Sequence, residues 1–328
     1  MADLLILTEG GDGIGFGHLV RCAAIGAHFQ ERGGSVAMMI DYRGDGFYQT
    51  GLSASRVRWR ENTGHLATQA HRHPLVLVDS YLAEPGFFSF LHQHFSKVVV
   101  LDDYNRIRYA ADLIINPNPY GDSLDYGNQH ARRRGGQAFV IVRDVFRNMT
   151  SRPNWKASLD RIVVTVGGVD AHALLARIAG WLSDTNVGVQ LVAGSEALRA
   201  KLYDQFGPGE RLDILGLLDA EAMCRVLRQA DLVISACGQT LHELAVLGRP
   251  VIGICVSDDQ RRNMTAYHRA GFLPAEIYWD DEHLREKVLQ CVEQMHPLHV
   301  RKTHGQRGRA LIDGNGVDRI VACLFELL

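Results

Sequence analysis

The sequence contains no apolar run approaching the length, about 18 residues, that a membrane-spanning helix needs. No charged region precedes a long apolar stretch near residue 1, so no export signal is expected and the chain reads as soluble, cytoplasmic and without membrane insertion. It also lacks an excess of positive charge: 35 Lys and Arg stand against 37 Asp and Glu, a formal net charge of −2. That excludes the basic footprint that nucleic-acid binding requires. No C-x-x-C pair occurs. The six cysteines (22, 224, 237, 255, 291, 323) are scattered, mostly within apolar runs, so neither a zinc site nor a disulfide framework is expected, and they read as reduced core residues. Histidines are plentiful, but His242 reads as a surface histidine rather than a metal ligand, and the others apart from His18, including the H-x-H pairs at 71/73 and 92/94, have no convincing cysteine or carboxylate partner at ligand spacing. They read as surface residues, and no metal or other cofactor is expected. There is no repeat at solenoid spacing and no low-complexity segment.

What the chain does have is alternation of short apolar runs with longer helical patterns. "DLLIL", "SVAMMI", "PLVLVD", "KVVVLD", "DLIINP" and "AFVIV" precede residue 150, and "RIVVTVGG", "VGVQLVAG", "LDILG", "DLVISA" and "RPVIGIC" follow the polar stretch "RNMTSRPNWKAS". Continuous Val/Ile/Leu runs of this kind mark parallel strands covered by helices on both faces. At 328 residues the chain exceeds one compact core. The expected fold is α/β, two doubly wound Rossmann-like domains facing a cleft, residues 1–150 and residues 151–328, with a final apolar helix at 317–328 docking back on the first domain.

Ligands in such sheets bind outside the carboxyl ends of the strands, and these ends are polar and glycine-rich here. Behind the first strand, "GDGIGFGHLVR" places glycines at 13, 15 and 17 and then His18. Glycines there let a ligand approach the backbone. A dinucleotide fingerprint would carry G-x-G-x-x-G, and Asp41 sits about where its ribose carboxylate would, but an imidazole stands where the third glycine belongs. His18 at the rim is therefore read as a candidate base rather than as a helix-end histidine satisfied by solvent. In "SACGQTLHE", Ser235, Gly238, Gln239 and Thr240 form a turn into a helix whose N-terminal amides suit a phosphate, and Glu243 is a candidate for a ribose diol. Its alternative reading is a capping box with Thr240. "VTVGGVD" offers Gly167 and Gly168 to a pyrophosphate, with Asp170 as a helix cap or a nucleotide contact. In "LDDY", Asp102 and Asp103 could balance charge, bind a sugar hydroxyl or act as caps.

Taken in order, "IGFGHLVRC", "LVDSY", "VVLDD", "DLIINPNPY", "VTVGGVD", "SACGQTLHELAVLGRPVIGI" and "DDQRRN...AGF" resemble the UDP-sugar hydrolase family of the pseudaminic acid pathway. The resemblance covers roughly residues 3 to 275. It implies a glycosyltransferase-B fold with UDP on the C-terminal domain and the sugar facing the N-terminal one. It further implies metal-independent hydrolysis of UDP-2,4-diacetamido-2,4,6-trideoxy-β-L-altropyranose to free sugar and UDP. The family's catalytic histidine falls on His18 and its active-site tyrosine on Tyr81. Asp259 stands where the family has the Asn of its D-N-Q motif, followed by Gln260. The chain also departs from the family in "TEGG", where an Arg usually follows the first strand; in "SACGQT", in place of a Gly-Gly turn; and in Ala171, where proline is frequent after Asp170.

The expected chemistry is water attack at an anomeric carbon with a nucleoside diphosphate leaving. His18 would take the proton, Tyr81 and Asp259 would orient sugar or water, and Gly15, Gly17, Asp103 and Gln260 would line the sugar. Amides around Gly167, Gly168 and the 239–247 helix would receive the diphosphate. The rivals are a transferase of the same fold, a nicotinamide oxidoreductase and a non-catalytic nucleotide-sugar sensor.

Overall fold

The structure, a computed structural model, describes all residues except 1, 2, 12, 13, 45–49, 128, 129, 149–154, 169 and 208. Gly13, Val169 and half of the polar stretch that suggested a boundary near 150 thus lie outside the described residues. The chain divides into two compact units, Met1–Val142 with Gly314–Leu328, and Arg143–Asp313.

The first unit is built on seven parallel strands: β1 (Asp3–Gly11), β2 (Ser35–Arg43), β3 (Ser53–Arg56), β4 (Leu75–Asp79), β5 (Lys97–Leu101), β6 (Leu113–Asn116) and β7 (Arg132–Gly135), in the order β3-β2-β1-β4-β5-β6-β7. The two faces of β1 go to two cores, because side chains alternate along a strand. Leu4 and Ile6 pack with Ile25, Phe29, Val317 and Ile320, while Leu5 and Leu7 pack with Trp59, Phe88 and Leu91. Each such fully buried side chain is worth about 1.5–3 kcal/mol relative to exposure. The register aligns Thr8 of β1 with Asp79 at the end of β4, and Glu9 with Asp41 of β2. All these residues therefore lie at one rim, the carboxyl end of the sheet.

Two strands escape the apolar pattern and one apolar run is not a strand. β3 is "SASR" and β7 is "RRRG"; both are sheet edges, where only one side needs a partner and charge guards against edge-to-edge pairing. "AFVIV" instead forms a 3₁₀ turn at Gln137–Phe139 followed by buried Val140, Ile141 and Val142. It is apolar because Ile141 packs among Val317, Ile320, Val321 and Leu324 of the C-terminal helix, Gly316–Phe325. That helix also lies against the Gly17–Glu31 helix through a Phe29–Phe325 ring stack, centroids 4.6 Å apart, and a 2.9 Å contact from His28 Nδ1 to Asp318. His28 is therefore buried, against the surface reading.

The second unit carries β8 (Arg161–Thr165), β9 (Gly188–Val192), β10 (Leu212–Leu215), β11 (Leu232–Ala236) and β12 (Val251–Ile254), all parallel, in the order β10-β9-β8-β11-β12. All five coincide with the expected runs. Five cysteines are buried and Cys323 is partly so, all with free thiols.

Candidate active site

β1 ends on Gly11, whose φ of +100° only glycine adopts without strain, and a Cβ there would sit 1.9 Å from the Arg43 carbonyl oxygen. The chain turns back through Gly15 (φ +83°), which exchanges backbone hydrogen bonds with Gly11, and enters the helix at Gly17. At Gly15 and Gly17 an added Cβ would meet nothing within 4 Å, so the backbone is open to an approaching ligand. His18 and Arg21, three residues apart, share one face of this helix.

That face meets the ends of β4 and β5. His18 Nδ1 lies 2.7 Å from Asp79 Oδ1. Arg21 donates to the same carboxylate from Nε (2.6 Å) and Nη2 (2.5 Å), and to Asp103 from Nη1 (2.8 Å) and Nη2 (2.9 Å). Asp79 is fully buried. Burial works to raise its pKa, but Arg21 and then His18 outweigh that and hold the carboxyl far below the usual carboxylate range. Asp103 is held low by Arg21 against the same opposing burial. The two carboxylates in turn keep Arg21 charged although burial opposes it. With Asp79 ionised, Nδ1 of His18 carries the proton and donates it. Arg21 Nη2, 3.2 Å from that nitrogen, has no lone pair to address there. Every hydrogen bond of His18 among the described residues is at Nδ1, which leaves Nε2 as a proton acceptor.

Tyr81 completes the cluster. Its hydroxyl donates to Asp103, and its ring meets His18 edge-on with centroids 4.4 Å apart. Its backbone amide donates to Glu9 Oε1 and Ser80 Oγ to Glu9 Oε2, both at 2.6 Å. Glu9, in the "TEGG" stretch, is fully buried and braces the turn that carries Tyr81. Asn118 Nδ2 donates to Asp103 at 2.7 Å. The structure thus brings His18, Tyr81 and Asp103 together and adds Asp79, Arg21, Glu9 and Asn118. The signal for Arg21 was its one-turn spacing from His18; Asp79 and Asn118 both sit in strand-end stretches already marked as polar.

In the second unit, Gly167 (φ +92°) and Gly168 are exposed at the end of β8. Asp170 accepts the amides of Leu174 (2.7 Å) and Leu175 (3.0 Å), the first two of the Leu174–Leu182 helix, whose N-cap position is Ala173 rather than Asp170. These two amides are thereby occupied. Within β11, Ser235 is buried, while after it Gly238, Gln239 and Thr240 are half-buried at the start of the Gln239–Leu247 helix. Gln260 ties this turn to the loop after β12, its Oε1 accepting from Cys237 N (3.1 Å) and Val256 N (3.3 Å). Asp259 is exposed and makes no side-chain hydrogen bond among the described residues.

Two readings require correction. The Thr240–Glu243 capping box does not form, because the helix is capped at Gly238 and Glu243 points elsewhere. Glu243 is fully buried, with Oε1 2.6 Å from Arg143 Nε and Oε2 2.9 Å from Arg143 Nη2. It would reach a ribose only by giving up part of this pairing. Burial raises its pKa against the pull of Arg143. His242 is buried as well, with Nδ1 2.6 Å from the Tyr267 hydroxyl; an apolar helix face that takes one satisfied imidazole looks polar in sequence. Asp41, weighed for a dinucleotide ribose, accepts from Arg60 at 2.6 Å. Among the described residues no group of three or more His, Cys, Asp or Glu is placed to hold a metal ion, and no helix is long and apolar enough to cross a membrane.

No protein-family model matches the chain. The spore coat polysaccharide biosynthesis protein SpsG of Bacillus subtilis is 25% identical over 248 residues, 71% of this chain and 70% of that protein. Among solved structures, Acinetobacter baumannii MurG superposes with a TM-score of 0.69 at 14% identity, covering 99% of this chain and 100% of MurG. The S. aureus MnaA–UDP co-structure gives 0.67 at 12% identity, with 100% and 98% covered. The expected fold is met: two parallel-sheet α/β units of the glycosyltransferase-B type.

Proposed function

We propose that this chain is an enzyme of nucleotide-sugar metabolism that hydrolyses a UDP-activated acetamido-deoxy sugar at its anomeric carbon, releasing free sugar and UDP, in nonulosonic acid or surface-glycan biosynthesis. The observation that carries the reading is the buried Asp79–His18 pair, with Nδ1 committed and Nε2 open. In this arrangement Nε2 accepts a proton from a water attacking the anomeric carbon. Asp79 fixes the tautomer and stabilises the imidazolium that results, and Arg21 keeps Asp79 ionised throughout. A nucleoside diphosphate is a good leaving group, so the remaining task is to receive its charge. The exposed amides at Gly167 and Gly168 and the N-terminus of the Gln239–Leu247 helix are assigned to it. Tyr81, Asp103, Gly15 and Gly17 are assigned to the sugar, Asp259 and Gln260 to sugar or water, and Glu243 to the nucleotide in exchange for part of its contact with Arg143.

The relative named for spore coat polysaccharide biosynthesis and the neighbour solved with UDP support a substrate of this class. A second reading has one observation in its favour: the same Nε2 would deprotonate an acceptor hydroxyl as readily as a water, which makes a transferase. Incubating the protein with a panel of nucleoside diphosphate sugars, with and without acceptor saccharides, tests both. Diphosphate release without acceptor supports hydrolysis, release only with acceptor supports transfer, and no release with any sugar removes both.

A further inference from the structure

The segment that follows β5, Asp102-Asp103-Tyr104-Asn105, is built around one buried carboxylate. Asp102 accepts the Asn105 amide (2.6 Å), the Arg106 amide (3.4 Å) and the hydroxyls of Tyr109 and Tyr126. Both hydroxyls are held protonated by burial and then by the Asp102 charge. Asn105 sits at φ +57°, in the left-handed region that few non-glycine residues enter, and its Nδ2 donates to the Asp125 carbonyl at 2.7 Å. A strained residue persists where its surroundings over-determine it, and here the strained turn has a definite product. It sends two consecutive side chains into one cluster: Asp103 to Arg21 and Tyr81, and Tyr104 to the ring of Tyr81, with centroids 5.3 Å apart and planes at 64°. Tyr81 in turn meets His18 at 4.4 Å. Three rings therefore run outward from the proton acceptor, and the last, Tyr104, is half-buried at the carboxyl rim of the sheet.

We infer that Tyr104 is a substrate-contacting residue, an aromatic wall for the apolar face of the pyranose ring whose anomeric carbon lies at His18. The inference rests on the sugar assignment made above but does not depend on which reaction follows. A sugar ring in the hydrolytic pose must lie beside His18 and Tyr81. Aromatic rings recognise sugars by the C–H face, and the next ring outward is that of Tyr104. Its contribution belongs to the sugar and not to the nucleotide, which gives it a signature that a merely structural tyrosine lacks.

The test compares the binding of UDP, UDP-glucose and UDP-N-acetylglucosamine by calorimetry in a His18→Asn background, in which turnover is slowed by at least about a hundredfold. With Tyr104→Ala, the UDP-sugar dissociation constants should rise roughly 3- to 10-fold, the size of one aromatic contact, while that of UDP alone stays unchanged. Tyr104→Phe should bind all three as the parent does. Should Tyr104→Ala fold poorly, Tyr104→Leu carries the same comparison. Equal affinities in parent and variant, an equal loss for UDP and UDP-sugars, or a parent that binds neither sugar more tightly than UDP each overturn the inference. Diphosphate release by the His18 enzyme is measured separately. A sugar-specific loss without any release keeps Tyr104 and removes the hydrolase, whereas release with an unchanged KM in the Tyr104→Ala variant keeps the hydrolase and removes Tyr104.

Discussion

Replacing Asp79 by asparagine keeps the shape of the side chain and deletes its charge. In the parent one fully buried carboxylate receives three donors at 2.5–2.7 Å, two from Arg21 and one from His18. Removing one partner of a buried ion pair costs about 3–5 kcal/mol when the other charge is left alone. Arg21 is not left alone, because Asp103 still takes it through two bonds at 2.8 and 2.9 Å. The expected loss is accordingly smaller, about 2–3 kcal/mol, or roughly 5–10 °C in the thermal midpoint of the unit that carries it. The pH dependence gives an independent check. The folded pKa values of Asp79 and Asp103 lie below their unfolded value of about 3.9. The unfolded chain therefore binds more protons as pH falls, so the stabilisation is complete well above pH ~4 and is lost progressively below it. Urea titrations between about pH 2.5 and 6 should show the parent weakening steeply on the acid side and Asp79→Asn weakening less, with both starting from an unchanged m-value. Equal stability at pH 6 together with parallel acid limbs would refute the account of this cluster, whatever the enzyme's reaction. If the proposed chemistry is right, the same variant should also lose turnover by about 10² or more, because asparagine no longer enforces the Nδ1–H tautomer.

His18→Asn should lower kcat by about 10²–10⁴ while UDP affinity stays near that of the parent. A variant with full turnover would move the base to another group, Asp259 being the next to mutate. For the Arg143–Glu243 pair, Glu243→Ala should weaken UDP binding by about 1.5–3 kcal/mol if the carboxylate holds ribose hydroxyls, and Arg143→Ala should leave UDP affinity intact or improve it. UDP affinity that survives in Glu243→Ala would make the pair purely structural, with the loss appearing only in the denaturation midpoint. Gly11→Ala should destabilise the protein by about 2 kcal/mol or more, since φ is +100° and the new Cβ would stand 1.9 Å from the Arg43 oxygen; an unchanged melting temperature would contradict the turn as described.

The fold was readable because its information is carried by local composition. A buried parallel strand must be apolar on both faces, and ten of the twelve strands among the described residues announce themselves as Val/Ile/Leu runs. The two that do not, "SASR" and "RRRG", are the edges of the larger sheet, where solvent on one side removes the constraint. The run "AFVIV" misled for the converse reason. It is apolar to receive the Gly316–Phe325 helix, whose packing partner lies some 180 residues away and leaves no local trace of helix, strand or loop. His28 and His242 share this cause: each is a buried imidazole satisfied by one distant group, Asp318 or the Tyr267 hydroxyl, and nothing in the neighbouring sequence names that group.

The candidate site divides along the same line. His18 and Asp103 stood out because each follows a strand and sits among glycines or other polar residues, where a doubly wound sheet presents its ligands, whereas Tyr81 was named by the family resemblance. What makes His18 a proton acceptor is a relation between segments, and no single segment contains it. The register of β1 against β4 sets Thr8 level with Asp79, the glycine turn starts the helix at Gly17, and one helical turn then carries His18 and Arg21 onto the same carboxylate. A one-residue slip in that register would face Asp79 to the other side of the sheet. The histidine would then keep its place in the motif and lose its orienting partner, so a strand-end carboxylate in register with the glycine loop is the feature to seek beside such a histidine in any related sequence.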